Sequence, residues 1–77
     1  MKKIVFTLDN QLKKVGMGQR ELSRQSKEID PEGAGVRQAL ISDICRNKIE
    51  HIPVKKLALI CTVLNCDVSE VMRSEEH

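Results

Sequence analysis

Gln38, Ala39, Ser42, Asp43 and Arg46 are the side chains whose types and spacing best suit joint chemistry. They lie in Gly35-Val36-Arg37-Gln38-Ala39-Leu40-Ile41-Ser42-Asp43-Ile44-Cys45-Arg46-Asn47-Lys48, where Val36, Ile41 and Ile44 recur at helical spacing. If those three face a core, the other five turn outward on the opposite side. An amide, a hydroxyl, a carboxylate and a guanidinium on one face can donate and accept hydrogen bonds against another surface. Bond-breaking chemistry needs more than this. No Ser/His/Asp or Cys/His set is close in sequence, and His51 and His77 are the two histidines. Gly33-Ala34-Gly35 lacks the preceding strand and the Lys of a nucleotide-binding loop. The reading is therefore recognition, not enzymology.

Seventy-seven residues suffice for one domain over 1–77, near the lower limit of a self-supporting core. Phe6 is the single aromatic residue, so the core must come from Leu, Ile and Val, which suits a helical fold. Cys45, Cys61 and Cys66 are odd in number and lack CxxC spacing. They read as small buried thiols of a reducing, cytoplasmic chain, with neither metal nor other cofactor. No apolar run is long enough to span a membrane, and no signal-peptide pattern follows Lys2 and Lys3. The formal charge of +2 is mild, but it is unevenly spread. Within Lys27–Ala34 one Lys stands against Glu28, Asp30 and Glu32, so the basic surplus belongs to the rest of the chain.

The elements that must hold the polar face are legible along the chain. Met1–Leu8 alternates loosely and reads as a short extended arm. Leu8, Leu12 and Val15 share a helical face that Thr7 or Asp9 could cap and Gly16 would end. Gln19–Ser26 is a second helical run that can extend to Glu28, with Leu22 and Ser26 on one face and Ile29 a turn further. Asp30-Pro31-Glu32-Gly33 reads as a turn. A third helix carries Val36, Ile41, Ile44 and Cys45 and breaks near Asn47. Pro53 opens a fourth, with Val54, Leu57, Ala58, Cys61 and Leu64 as its apolar face and Asn65 as its end. Asp67-Val68-Ser69-Glu70 resembles a capping box for a fifth short helix with Val71 and Met72, and Arg73–His77 reads as a frayed tail. The expected fold is all-α, a compact five-helix bundle with a possible N-terminal extended arm.

A helix-turn-helix needs a first helix that crosses a nucleic-acid backbone and a second whose N-terminal residues reach base edges. "GMGQRELSR" can supply the first and "GVRQALISDICRNK" the second. Together with "IPVKKLALICTVLNCDVSEVM", these segments resemble in order and character the lambda-repressor/Cro-type helix-turn-helix domains, the XRE family. The resemblance implies a sequence-specific, double-stranded-DNA-binding transcriptional regulator, repressor-like, from a bacterial or phage source. It implies a homodimer on a two-fold site with half-sites about 34–36 Å apart. Over about Gln38–Asn47, the recognition helix, it assigns Gln38 to adenine and Ala39 to a thymine methyl. Ser42 and Asp43 become second-turn readers, Asp43 accepting from a cytosine amino group. It assigns Gln19, Arg37, Arg46, Asn47 and Lys48 to phosphates, where they set affinity and its salt dependence.

Three departures from the family pattern stand out. Gly18 takes the N-cap where Ser or Thr is usual, and Leu40 replaces a small polar residue. The third is the acidic segment Lys27–Ala34, which adds about eight residues to a turn of about three. It is expected to fold away from DNA or to meet a protein partner. The competing reading is a protein-binding adaptor, an antirepressor or antitoxin, that uses this segment as its contact. A DNA-binding fragment tethered to a larger assembly is a third.

Overall fold

Leu8 and Leu12 lie one helical turn apart, and Gly16 takes the left-handed conformation (φ 71°) that ends the helix they anchor. That helix is the first of four in the computed structural model, which describes residues 1–76. The order is β1 (Lys2–Phe6), α1 (Leu8–Val15), α2 (Gln19–Ile29), α3 (Gln38–Cys45), α4 (Val54–Leu64), a single 3-10 turn at Val68–Glu70, and β2 (Met72–Glu76). Leu8, Leu12, Leu22, Val36, Ile41, Ile44, Leu59, Ile60, Leu64 and Val71 form one buried aliphatic cluster to which all four helices contribute. Phe6, Met17, Leu40 and Leu57 pack against its edge. The third helix thus rests on Ile41 and Ile44, as its spacing predicts. Leu40 is half-buried against the core and does not stand out into solvent.

The fold differs from a five-helix, all-α bundle in a specific way. Asp67 does start a capping box, its N–H donating to Glu70 Oε2 at 2.8 Å. Only three residues of 3-10 helix follow, because the chain then becomes β2 and pairs antiparallel with β1. The register sets Lys2 against Glu76, Ile4 against Ser74 and Phe6 against Met72. Residues 73–76 are therefore the second strand of a sheet and not a frayed tail; His77 lies outside the described residues. The N-terminal arm is extended, as expected, and its hydrogen-bonding edge has a partner. At the base of the ribbon, Thr7 N donates to Val71 O at 2.7 Å and Thr7 Oγ1 to Glu70 O at 3.1 Å. Thr7 spends its hydroxyl there and leaves α1 without a side-chain cap.

Four apolar residues expected on inner faces are exposed: Val15, Ile29 at 42%, Val54 at 82% and Ala58. For α4 the inward face is set by Leu59, Ile60 and Leu64, while Ala58 is exposed and Leu57 and Cys61 are half-buried. Val54–Leu64 is apolar almost all the way round, so its periodicity fits more than one face. Only packing against α2, its main helical neighbour, chooses between them.

Asn47 ties the helical body to the ribbon. It sits one residue past the C-cap of α3 with φ 57°, and the backbone closes around it. Its N–H donates to Ile44 O at 3.0 Å, and Lys48 N–H donates to Asp43 O at 2.9 Å. This is a Schellman ending with Asn in the glycine position. The side chain then reaches β1: Phe6 N donates to Asn47 Oδ1 at 2.6 Å and Asn47 Nδ2 donates to Phe6 O at 3.0 Å. Asn47→Ala is expected to cost about 1–2 kcal/mol in thermal unfolding, through two lost bonds and a left-handed Ala. Asn47→Gly should recover about 1 kcal/mol of it; equal losses would show that the left-handed backbone adds no strain.

Candidate nucleic-acid interface

Helix α3 begins at Gln38, with Arg37 as its extended N-cap residue (φ −69°, ψ 146°). The Arg37 side chain does not cap it, so the first-turn N–H groups receive no side-chain acceptor there. Helix α2 begins the same way, with Gly18 at its N-cap and no side-chain cap bond. Helix α3 therefore presents the positive end of its backbone dipole with no acidic residue in its first turn, whereas α2 carries Glu21 there.

Around these starts the recognition residues are disposed as follows. Gln38 and Ala39 are exposed on the first turn of α3, and Ser42 and Asp43 are half-buried one turn later. The core contacts Ile41 and Ile44 lie between and behind them. Arg46, the C-cap of α3, is exposed and donates from Nη2 to Asp43 Oδ1 at 3.2 Å, so these two side chains hold each other in the free protein. Lys48 and Arg37 are exposed at the two ends of α3, and Gln19 is half-buried at the start of α2. Asn47 stands apart from this group. Its side-chain amide is engaged by the Phe6 backbone, which gives it a structural task in the free protein. Spacing alone had no means of showing that bond, because its partner lies forty-one residues away.

The segment between α2 and α3 is built into the protein and does not hang from it. The Ser26 side chain is fully buried; it donates to Ser23 O at 2.7 Å and accepts from Val36 N at 2.8 Å. Ser23 Oγ donates to Val36 O at 2.6 Å. Asp30 turns inward and accepts from Glu32 N at 3.0 Å and Gly35 N at 2.9 Å. Those two backbone bonds hold its carboxyl below its ordinary pKa, so it stays ionised at neutral pH. Glu32 pairs with Lys55 of α4 at 2.8 Å, and Lys56 donates to Gly35 O. The acidic character of the segment is thus directed into its own turn and onto α4. On the exposed side of α2, Arg24 is held by both Glu21 and Glu28.

A family model of the Cro/C1-type helix-turn-helix DNA-binding domain matches residues 7–76. The chain belongs to that family. Comparison with curated proteins and with solved structures gives no significant match. The Cro/C1-type match takes in all four helices and β2 and leaves β1 ahead of it. It also runs through the lengthened turn between α2 and α3. Two sequence features could have flagged its structural role: two small hydroxyl residues, Ser23 and Ser26, one turn apart, and a glycine immediately before Val36.

The three cysteines lie half-buried around the core, and burial raises the thiol pKa of each, that of Cys66 to about 11. They are protonated, weakly nucleophilic thiols at neutral pH. No helix among the described residues is long and apolar enough to cross a membrane.

Proposed function

We propose that this protein is a sequence-specific, double-stranded-DNA-binding transcriptional regulator of repressor type, acting as a homodimer. The observation that carries the reading is α3 itself, whose Gln38, Ala39, Ser42 and Asp43 face outward opposite the buried Ile41 and Ile44. In the major groove this face offers an amide for adenine, a methyl for thymine and a carboxylate for a cytosine amino group. Asp43 and Arg46 form a coupled pair. When Arg46 leaves for a phosphate, Asp43 is freed to accept from a base, so affinity and readout engage together. Gln19, Arg37 and Lys48 supply further phosphate contacts around the same face. One eight-residue helix reads few bases, which favours two copies on a two-fold site.

The protein-binding adaptor reading draws less support from the segment at Lys27–Ala34. Its carboxylates already have partners within the chain: Asp30 in its own turn, Glu32 on Lys55 and Glu28 on Arg24.

Selection of bound sequences from a random duplex library, followed by Gln38→Ala, tests the reading. Affinity for the selected sequence should fall by about 1–3 kcal/mol, roughly 5- to 150-fold, with little change on mixed-sequence duplex. A chain that binds no duplex at low salt would sink the regulator reading.

A further inference from the structure

The seam where the lengthened segment returns to α2 is an open cleft of about 340 Å³, lined by Arg20, Ser23, Arg24, Lys27, Arg37 and Gln38. Four of these six carry positive charge and none carries negative charge. Arg24 is neutralised by Glu21 and Glu28. Arg20, Lys27 and Arg37 have no ion pair among the described residues. Unpaired cations gathered in a concave site repel one another, and an anion shared between them relieves that cost.

Lys27 and Arg37 are ten positions apart, and the fold of the segment is what brings them together. Gly35 passes so close to α2 that a Cβ there would stand 2.6 Å from Lys27 N. Ser23 and Ser26 fasten the next residue, Val36, by two buried hydrogen bonds, and a third joins the Ser26 hydroxyl to Ser23 O. Arg37 follows directly and is thereby fixed beside Lys27, with Gln38 starting α3 at the cleft's edge. Of the acids of the same segment, Asp30 points into the turn and Glu32 onto Lys55, while Glu28 is taken up by Arg24.

We propose that the lengthened turn builds a phosphate cleft in which Arg20, Lys27 and Arg37 together hold one backbone phosphate of duplex DNA, next to the base that Gln38 faces. This rests on the DNA-binding reading above and reverses the effect expected of an acidic insertion, which by net charge alone would weaken binding. A guanidinium gives paired hydrogen bonds to a phosphodiester, and the Lys27 ammonium adds a point charge.

Binding of the 77-residue chain to a labelled mixed-sequence duplex, across a series of salt concentrations, tests the assignment. Lys27→Ala and Arg37→Ala should each weaken binding and flatten the slope of log K against log salt. The double variant, which leaves Arg20 in place, should lose at most about 0.9 in slope, the value for one phosphate and not two, because both side chains serve the same phosphate. Lys55→Ala, on the α4 side of the segment, should leave the slope unchanged, and thermal unfolding should show all three variants folded. Wild-type binding with an unaltered slope in the double variant overturns the cleft while leaving the DNA reading intact. Absence of wild-type binding at low salt overturns both. A further arm compares unfolding in sodium phosphate and in chloride at equal ionic strength. Modest stabilisation by phosphate that the double variant loses is expected of a site that takes a phosphodiester; the same stabilisation together with an unaltered duplex salt slope in the double variant would assign the cleft to a free anion and overturn the DNA assignment.

Discussion

Gly35→Ala is expected to destabilise the protein by roughly 3 kcal/mol or more, and Gly33→Ala, two residues earlier, by only about 1 kcal/mol. Both glycines have positive φ, 59° and 74°, so each substitution places an L-residue in left-handed backbone at about 1–2 kcal/mol. They differ in surroundings. A Cβ at Gly33 meets nothing within 4 Å, whereas one at Gly35 stands 2.6 Å from Lys27 N and Cγ and 2.8 Å from Lys27 Cα. The lysine stem can swing aside, but the helix backbone cannot, so the added methyl must push Gly35 off α2. Overpacking of this kind costs about 1–3 kcal/mol more. It also strains the bonds from Gly35 N to Asp30 and from Val36 N to Ser26, which lie on either side of the contact. A domain of this size sits near the lower end of the usual 5–15 kcal/mol, so Gly35→Ala would remove about half its stability. Urea or thermal unfolding of the two variants side by side is the measurement. Equal shifts would mean that the return of the chain onto α2 is looser than described.

Ser26→Ala is expected to cost about 1–3 kcal/mol, a large effect for the removal of one oxygen. Ser26 is fully buried, and its hydroxyl is the acceptor for Val36 N–H as well as a donor to Ser23 O. Alanine leaves the Val36 N–H buried without an acceptor, and the penalty is the desolvation of that group more than the lost bond itself. Ser26→Thr keeps the oxygen but adds a methyl to a site with no exposed surface, so it should fall between wild type and Ala only if the surrounding side chains can yield. Amide hydrogen exchange at Val36 offers a local check: Ser26→Ala should speed it more than exchange at Ile60, deep in the α4 side of the core. Uniform acceleration would point to global loosening and not to this one bond.

These two sites show where sequence reasoning reaches and where it stops. The helices were legible because their causes are local. Leu8 and Leu12 with Gly16, Pro53 with Asn65, and the spacing of Ile41 and Ile44 each act within a few turns of chain, and all recur in the fold. The outward set Gln38, Ala39, Ser42 and Asp43 follows from the same spacing, but Val36, read from that spacing as part of the third helix, lies ahead of the helix start at Gln38, fastened to Ser23 and Ser26. The capping box at Asp67 was legible too, but its length was not, since Val71 must turn inward and Met72 must meet Phe6 across the sheet.

What escaped the sequence depended on partners far along the chain. A strand has no internal hydrogen bonds, so Met72–Glu76 is indistinguishable from loose tail until β1, some seventy residues earlier, lies beside it. The inward face of α4 was ambiguous because apolar residues surround that helix, and Val54 fell outside when Ile60 and Leu64 packed inward. The bonds between the Asn47 amide and the Phe6 backbone were not legible for the same reason, since they span forty-one residues.

The sequence by itself determined the family pattern, the four helices and the polar face of α3, through periodicity and end signals that need only neighbouring residues. The tertiary structure alone decided the sheet, the engagement of Asn47 and the placement of the acidic turn. Net charge counted Glu28, Asp30 and Glu32 equally, but the fold pairs or buries each of them and brings Lys27 and Arg37 to one cleft. The reason is that Coulombic and hydrogen-bonding interactions depend on distance and direction in space, which composition does not contain.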